Sequence, residues 1–218
     1  MESERKLTKT TFDNLPQEKK LFIIQTATNE FAAQGFDHAN INTIAEKAGI
    51  SIGSLYKYFG SKQDLFLMTI HKGTDVLASV LQAIIPSDSS FEDKCRALLK
   101  AIQKTSREQK QLIQLYSELT SVGNSDLVQQ LSYEIESISA RTYTELIKEG
   151  QRKEEIRADI DPAMGAYLMD NLFISLQFSY SSEYYQQRFK IFLGSDIENR
   201  DAFVREQMVQ FLSSAFKP

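Results

Sequence analysis

The sequence predicts an all-α fold, in which a small three-helix domain near the N-terminus precedes a larger helical domain. Three observations favour this fold class. Apolar residues recur at the spacing of one helix face, as at Ile24, Ala27 and Phe31. Glycines and cap-forming residues interrupt these stretches at intervals that suit helices. No stretch alternates apolar and polar residues with the period of two that is typical of a half-buried strand.

Length and composition fit a folded protein with a sizeable core. The chain has 218 residues, of which 42% are hydrophobic and 25% are charged. Its single cysteine, Cys95, excludes an internal disulfide and suits a reducing cytoplasm, where it is expected to be a small buried hydrophobe. The charged N-terminus lacks an apolar signal stretch, and no run of about 18 apolar residues occurs, so we expect neither export nor a membrane span.

Net charge gives only weak support for a nucleic-acid partner. The formal total is −4, and it divides unevenly along the chain. Residues 1–62 contain eight basic and seven acidic side chains, whereas residues 63–218 contain 17 and 22. The N-terminal part is therefore slightly positive, which is the sign that DNA binding requires, but the excess is a single charge.

Residues 1–15 are polar and lack periodicity, which predicts a mobile tail. Three helices with glycine-containing breaks follow, and the second and third are separated by about four residues, as in a helix-turn-helix. Leu55 and Phe59, four residues apart, are predicted to point inward from the third helix. The predicted elements are a helix from Pro16 to Gly35, a helix from Ile41 to Lys47 with Asn40 as N-cap and Gly49 after it, and a helix capped by Ser51 and ended by Gly60.

The rest of the chain is predicted to be helical, with residues 183–198 left unassigned. Pro86, the Gly123-Asn124 pair and Asp161-Pro162 mark the breaks. The predicted helices run from Ser61 to near Ile85, from a capping box at Ser90–Asp93 to about Arg107, from Gln109 to Ser121, from Ser125 to about Arg152, from Pro162 through Tyr180, and from Asn199 to Phe216.

Four linked blocks between residues 24 and 66 resemble the DNA-binding region of TetR-family transcriptional regulators. They cover about a fifth of the chain, and their order and spacing are more specific than any single block. The blocks are Ile24–Phe36, which resembles the family's first helix; Ile44–Ser51, which resembles the second helix and turn; Gly53–Phe59, which resembles the recognition helix; and Ser61–Phe66, which resembles the start of the linking helix.

The resemblance implies a ligand-responsive transcriptional regulator, expected to be a repressor, that binds a palindromic operator as a homodimer. A small hydrophobic inducer is expected to release it. The implied organisation is a tail at 1–15, a helix-turn-helix DNA-binding domain at 16–62, and a ligand-binding and dimerisation domain at 63–218. In the family, the last two long helices usually form a four-helix bundle with those of the partner subunit. The residues expected in that interface are Ala163, Ala166, Asp170, Phe173, Ile174, Phe203, Gln207 and Phe211.

The resemblance also assigns DNA contacts residue by residue. Ser51, Ser54, Tyr56 and Lys57 match positions that touch phosphates, and Gly53 would allow the backbone to approach the DNA closely. Ile52 departs from the polar residue common at its position and is expected to pack on a thymine methyl. The recognition helix has no arginine, so DNA shape is expected to contribute to specificity. The full set is Asn42, Ser51, Ile52, Gly53, Ser54, Tyr56, Lys57, Tyr58 and Lys62.

No catalytic, metal or cofactor site is predicted. His38 and His71 are the only histidines and lack the spacing of a metal-binding pair, and the sequence contains no phosphate-binding glycine loop or nucleophile elbow. The ligand-binding residues stay unassigned. The alternative hypothesis is a helical ligand-binding or scaffold protein that no longer binds DNA, which the missing arginine and the small positive charge keep open.

Overall fold

The computed structural model describes residues 7–119 and 125–218, with no account of the side chains at 118–119, 125–130 and 134. All regular secondary-structure elements in the described part are helices, and the one β contact is an isolated backbone bridge between Thr8 and Phe59, which confirms the predicted fold class. The helices are α1 (Thr10–Asp13), α2 (Gln17–His38), α3 (Ile41–Lys47), α4 (Ile52–Tyr58), α5 (Lys62–Ile84), α6 (Phe91–Glu108), α7 (Lys110–Leu119), α8 (Ser125–Arg152), α9 (Pro162–Ser181), α10 (Glu183–Leu193) and α11 (Asp201–Phe216), with a short 3-10 turn at Ile197–Asn199.

Several helix ends are formed by the glycines and capping side chains that the sequence predicts. Gly35 interrupts α2 with a φ of 69°, and the Asn40 side chain accepts a hydrogen bond from the Asn42 amide. Ser90 caps α6, where its hydroxyl accepts from the Asp93 amide and donates to that carboxylate. Asp161 caps α9 through the Met164 amide. The predicted turn at Gly123-Asn124 and the capping side chain of Ser125 lie outside the described residues.

Contacts within the chain divide it into two units. The first comprises the described residues within 1–74 and 114–131, and the second comprises the described residues within 75–113 and 132–218. The core of the first unit is built on three-helix packing around Phe31, Ile44 and Leu55, all buried. The core of the second unit joins α6, α8, α9 and α11 through a continuous cluster of buried side chains such as Leu99, Ile147 and Met169.

The predicted mobile tail is wrong from Leu7 onward. Residues 10–13 form α1, Phe12 is only 3% exposed, and the Lys9 amide donates to the Tyr58 carbonyl oxygen at 2.9 Å. The segment is ordered because two apolar side chains, Leu7 and Phe12, are buried in the first unit. Residues 1–6 lie outside the described part of the chain.

Residues 183–198, left unassigned from the sequence, contain α10 and part of the 3-10 turn. Gly194, at a φ of 68°, ends α10 with the left-handed conformation that favours glycine. No residue of α10 is fully buried, and Phe189 packs against the core only as a partly buried side chain, so the apolar pattern on which sequence-based prediction depends is weak here. This explains why its composition appeared mixed.

Candidate nucleic-acid interface

The α3–α4 pair forms a tight helix-turn-helix. Four residues, 48–51, separate the two helices. Gly49 turns the chain with a φ of 63°, and the amides of Gly49 and Ile50 donate to the carbonyl oxygens of Glu46 and Ala45 at 3.0 Å each. These bonds satisfy carbonyls that the end of α3 would otherwise leave without a partner. The turn therefore fixes where α4 begins.

A buried carboxylate fixes the position of α3 against α2. Glu30 is 8% exposed, and its oxygens accept from the Asn40 amide at 3.4 Å and from Lys47 Nζ at 3.2 Å. One side chain of α2 thus contacts both ends of the seven-residue helix α3. Lys47 forms this ion pair from the C-terminal end of α3.

α4 has one face in the core and one face in solvent. Leu55 and Phe59 are 2% and 1% exposed, as predicted from their spacing of four. Ile52, in the first turn of the helix, is 43% exposed, and Tyr56 is 46% exposed. Ser51, Gly53 and Lys57 are also exposed. The structure thus brings five of the nine predicted DNA-contacting residues onto one solvent-facing surface, which we call the α4 outer face: Ser51, Ile52, Gly53, Tyr56 and Lys57.

The first turn of α4 is held by two serines. Ser51 Oγ accepts a hydrogen bond from the Ser54 amide at 3.0 Å, and the two hydroxyl oxygens lie 2.8 Å apart. Ser51, one of the predicted phosphate contacts, therefore also serves as the N-terminal cap of the helix. A hydroxyl has one donor and two acceptor sites, so the pair retains capacity for a further partner.

The remaining three predicted residues lie around this face in different settings. Asn42 is exposed, and its side chain makes no hydrogen bond to any residue that the structure describes. Tyr58 is half-buried, with its ring centroid 5.9 Å from that of Phe12. Lys62 Nζ donates to the Asp37 carbonyl oxygen at 3.0 Å and lies 5.2 Å from the centre of the Phe36 ring. Lys62 thus also joins α5 to the end of α2.

Buried ionisable groups in the second unit have shifted pKa values. Burial raises the pKa of the Cys95 thiol to about 12, so the reactive thiolate does not form near neutral pH and the residue acts as a core hydrophobe. Burial, and then the charge of Glu136, raises the pKa of Asp170 to about 6. Among the described residues, no group of three metal-ligating side chains occurs, and no helix is long and apolar enough to cross a membrane.

The outward faces of α9 and α11 carry large exposed apolar side chains. Met164, Tyr167 and Leu168 are more than half exposed on α9, as is Phe211 on α11. The expectation that Ala166 and Phe173 lie in a subunit interface is wrong. Both side chains are buried within the protomer, at 2% and 1% exposure. The resemblance indicated which helices to consider but not which side of α9 faces the core of the protomer.

A family model and curated relatives match the part of the chain that contains this interface. The model of the bacterial regulatory proteins of the tetR family matches residues 23–68, from α2 into α5. An uncharacterized HTH-type transcriptional regulator, YhgD from Bacillus subtilis, is 25% identical over 172 residues, which cover 77% of this chain and 86% of that protein. The HTH-type transcriptional repressor KstR2 from Mycolicibacterium smegmatis is 23% identical over 167 residues, covering 74% and 80%. Residues 23–68 thus match the DNA-binding region of the tetR family.

Two solved structures from this class share the fold along most of the chain. A TetR family transcriptional regulator from Chloroflexus aurantiacus has a TM-score of 0.69 at 24% identity, and the match covers 98% of this chain and 100% of that chain. The transcriptional regulator FadR from Bacillus subtilis, solved in complex with stearoyl-CoA, has a TM-score of 0.72 at 17% identity, with 89% and 97% covered. At these identities the two likenesses show the fold.

Gly53 is the one glycine of this TetR-type helix-turn-helix that the fold itself does not require. A Cβ built there would meet only Ser51 Oγ, at 3.9 Å, which is an ordinary contact. A glycine within a helix costs about 0.5–1 kcal/mol relative to alanine, because its backbone loses more freedom on folding. The fold therefore does not require glycine here, whereas close approach of a phosphate to the backbone would.

Gly53→Ala is expected to raise the free energy of unfolding by about 0.5–1 kcal/mol and, at the same time, to weaken binding to the operator. The added methyl group stabilises the helix but occupies space at the α4 outer face. Urea denaturation and a DNA titration on the same preparation measure the two effects. A more stable variant that binds DNA as well as the wild type would show that Gly53 is an ordinary surface residue.

The N-terminal segment Leu7–Asn14 is the part of this interface that sequence reasoning missed. Its residues contact the far end of α4 from positions more than 40 residues away in the chain. The only sequence pattern available was the pair Leu7 and Phe12 in a polar stretch, and a spacing of five fits neither a helix face nor a strand.

Proposed function

We propose that the chain is a ligand-responsive, DNA-binding transcriptional regulator. In this proposal it represses transcription by binding a palindromic operator as a homodimer and leaves the DNA when a small hydrophobic ligand binds. The observation that carries the proposal is the two-faced α4, with Leu55 and Phe59 in the core and the α4 outer face in solvent. The tetR family model covers this helix.

Each residue of the proposed interface has a chemical role. Lys57 supplies a positive charge to a phosphate, and the Ser51 and Ser54 hydroxyls and Tyr56 supply hydrogen bonds. Ile52 and Tyr58 offer apolar surface for base edges, and Ile52 suits a thymine methyl. Asn42 offers from α3 a side-chain amide that has no partner among the described residues. Gly53 lets the backbone approach, and Lys62 adds charge at the start of α5. Because α4 lacks arginine, we expect much of the specificity to come from DNA shape.

The proposed homodimer uses the outer faces of α9 and α11. A single helix-turn-helix reads only a few base pairs, whereas two of them related by a two-fold axis reach successive major grooves about 34–36 Å apart. The exposed apolar side chains on these faces, among them Tyr167, Leu168 and Phe211, are large enough to need a cover in solution. Of the residues expected in the interface, Ala163, Phe203, Gln207 and Phe211 are exposed.

The proposed ligand is apolar and binds in the second unit. FadR from Bacillus subtilis, which shares the fold, was solved with stearoyl-CoA, and the relative KstR2 is named a repressor. A ligand releases a repressor only if it binds the form that cannot bind DNA more tightly than the form that can. A coupling of about 1–3 kcal/mol changes operator affinity by roughly 5–150-fold. We propose that α5, which follows the helix-turn-helix directly, tilts to transmit this change.

A fluorescence-anisotropy titration against the promoter of the protein's own gene and of its divergent neighbour tests the proposal. The DNA-face variant is Tyr56→Ala with Lys57→Ala. The control, Tyr184→Ala with Lys100→Ala, removes the same two residue types from exposed positions in the second unit. All three proteins are measured at two salt concentrations and against a random duplex.

Wild type and control are expected to prefer the promoter and to bind it more weakly at high salt. The DNA-face variant should lose at least about tenfold in affinity, with a salt slope smaller by about one because one phosphate contact is gone. A folded wild type with no preference over the random duplex would overturn the proposal. It would favour instead a helical protein that binds a ligand but no operator.

A further inference from the structure

The C-terminal end of α4 is held by the segment Leu7–Asn14. The last four carbonyl groups of a helix have no partner within the helix. In α4 the Leu55 carbonyl accepts from the Phe59 amide at 2.9 Å. The other three accept from the N-terminal segment: Lys9 Nζ donates to Tyr56 O at 3.0 Å, Thr11 Oγ1 to Lys57 O at 2.6 Å, and the Lys9 amide to Tyr58 O at 2.9 Å.

The same segment also packs under the end of the helix. Phe12 is 3% exposed, and its ring centroid lies 4.7 Å from that of Phe59 and 5.9 Å from that of Tyr58. Tilted ring pairs at these distances are favourable arrangements for aromatic side chains. The Phe12 ring therefore packs against the Tyr58 ring, while the Lys9 amide donates to the Tyr58 carbonyl oxygen.

The segment is itself fixed by hydrogen bonds. Thr8 Oγ1 donates to Asp13 Oδ1 at 2.8 Å, and the Phe12 amide donates to Lys9 O at 2.8 Å. Lys20 Nζ, on α2, donates to Asp13 O at 2.6 Å. The donors that bind α4 thus belong to a turn that is anchored to α2, so they hold the helix end in a defined position.

We propose that Leu7–Asn14 is a positioning segment for DNA reading, with Thr11 and Phe12 as its principal positioning residues. This inference rests on the proposed function. Three consecutive residues whose carbonyls it binds, Tyr56, Lys57 and Tyr58, are the ones assigned to DNA at that end of α4. An isolated helix of seven residues is marginal in water, and without these partners its last turn frays. Fraying would move those side chains but leave the charge of the protein unchanged.

A positioning role of the segment can be distinguished from a general contribution to folding by comparing affinity for the operator with affinity for random DNA. Affinity for a specific site depends on the geometry of the contacts, whereas affinity for random DNA depends mainly on charge. Loss of the segment's contacts is therefore expected to lower the ratio of operator affinity to random-duplex affinity. A change that only unfolded part of the protein population would lower both affinities by the same factor.

The test uses single substitutions in the full chain. Thr11→Val removes the hydroxyl donor at nearly constant volume, whereas Thr11→Ser retains the hydroxyl. Thr10→Val is the matched control, because Thr10 is the exposed neighbour and its side chain has no hydrogen bond to the described residues. Phe12→Ala removes the packing. Operator and random-duplex affinities are measured at one salt concentration, and amide hydrogen exchange is followed at the end of α4.

Thr11→Val is expected to lower operator affinity by about three- to tenfold, as for one hydrogen bond, with random-duplex affinity unchanged. Phe12→Ala should lower it further, and both should speed exchange at the last amides of α4. Thr11→Ser and Thr10→Val should match the wild type. The inference is overturned if Thr11→Val behaves as Thr10→Val does, or if both affinities fall equally. A wild type without operator preference instead overturns the proposed function. In that case, faster amide exchange in Thr11→Val would still show that the segment stabilises the end of α4.

Discussion

Replacing Glu149 with alanine is expected to lower the free energy of unfolding by about 3–5 kcal/mol. Its partner, Lys94, is 2% exposed, with Nζ at 3.2 and 3.3 Å from the two carboxylate oxygens of Glu149. Removing the carboxylate leaves an ammonium group buried without its counter-charge, which is more costly than the loss of one contact. Urea denaturation followed by circular dichroism measures the change.

Two variants test the physical reason for this effect. Lys153, the other cation that contacts Glu149, has a side chain that is 39% exposed. Its replacement by alanine is expected to lower the free energy of unfolding by less than about 1 kcal/mol. Lys94→Met combined with Glu149→Leu removes both buried charges and should recover most of the stability that Glu149→Ala loses. Equal effects for Glu149→Ala and Lys153→Ala would show that the Lys94 ammonium is not held by this pair.

The pH dependence of the same ion pair has a defined sign. Hydrogen bonds from Lys153 and then from Lys94 hold the pKa of Glu149 below its ordinary value of 4.5. A carboxyl group with a lowered pKa in the folded state contributes stability above its ordinary pKa and loses it as the pH falls through the folded value. The stability difference between wild type and Glu149→Ala should therefore be full near pH 7 and shrink below about pH 4.5.

Phe31→Ala is expected to lower the stability of the first unit by about 3–5 kcal/mol and to abolish operator binding. Phe31 has no exposed surface, and its ring lies 5.0 Å from that of Phe66 and 6.3 Å from that of Phe36. These rings join α2 to α5 behind the helix-turn-helix, so a cavity there removes the support for α3 and α4. Thermal unfolding and an operator titration on the same sample measure both consequences.

The matched control for this substitution is Phe22→Ala on the same helix. Phe22 is 53% exposed, and its replacement is expected to change stability by less than about 1 kcal/mol. Phe31→Leu keeps most of the buried volume and should cost less than about 1.5 kcal/mol. Full operator binding by Phe31→Ala would contradict the view that this aromatic cluster holds the helix-turn-helix in its reading conformation.

Local chemistry explains how much of the fold the sequence predicted. Gly35 and Gly49 mark breaks because their positive φ angles favour glycine, and Asn40, Ser51 and Asp161 mark helix starts because their side chains bind backbone amides. Such signals depend on a few adjacent residues. They were therefore visible without knowledge of the tertiary structure.

Features that depend on distant residues were not predictable in this way. The order of Leu7–Asn14 depends on carbonyl groups at Tyr56 and Lys57, far along the chain. Phe173 has the pattern of an interface residue, yet it is buried against Tyr143 with ring centroids 5.5 Å apart. In each case local periodicity is compatible with two environments, and only packing decides between them.

Of the helix that carries the candidate site, the two buried anchors, Leu55 and Phe59, could be predicted from their spacing of four. Ile52 and Tyr56 are nevertheless 43% and 46% exposed, although each lies three residues before a buried anchor, so their exposure depends on packing and not on spacing alone. Tyr58 and Lys62 were less predictable. Tyr58 is half-buried because Phe12 lies against it, and Lys62 is bound to the Asp37 carbonyl oxygen. Both partners are outside the motif that suggested the DNA contacts.

Hydroxyl-radical footprinting of the full chain on its own promoter tests the central claim most directly. We expect two protected patches of equal size within an inverted repeat, centred one turn of the double helix, about 34–36 Å, or a multiple of it, apart. The Tyr56→Ala, Lys57→Ala variant should leave both patches unprotected at the same protein concentration. Uniform weak protection along the fragment, equal for wild type and variant, would contradict a dimer that reads DNA through the α4 outer face.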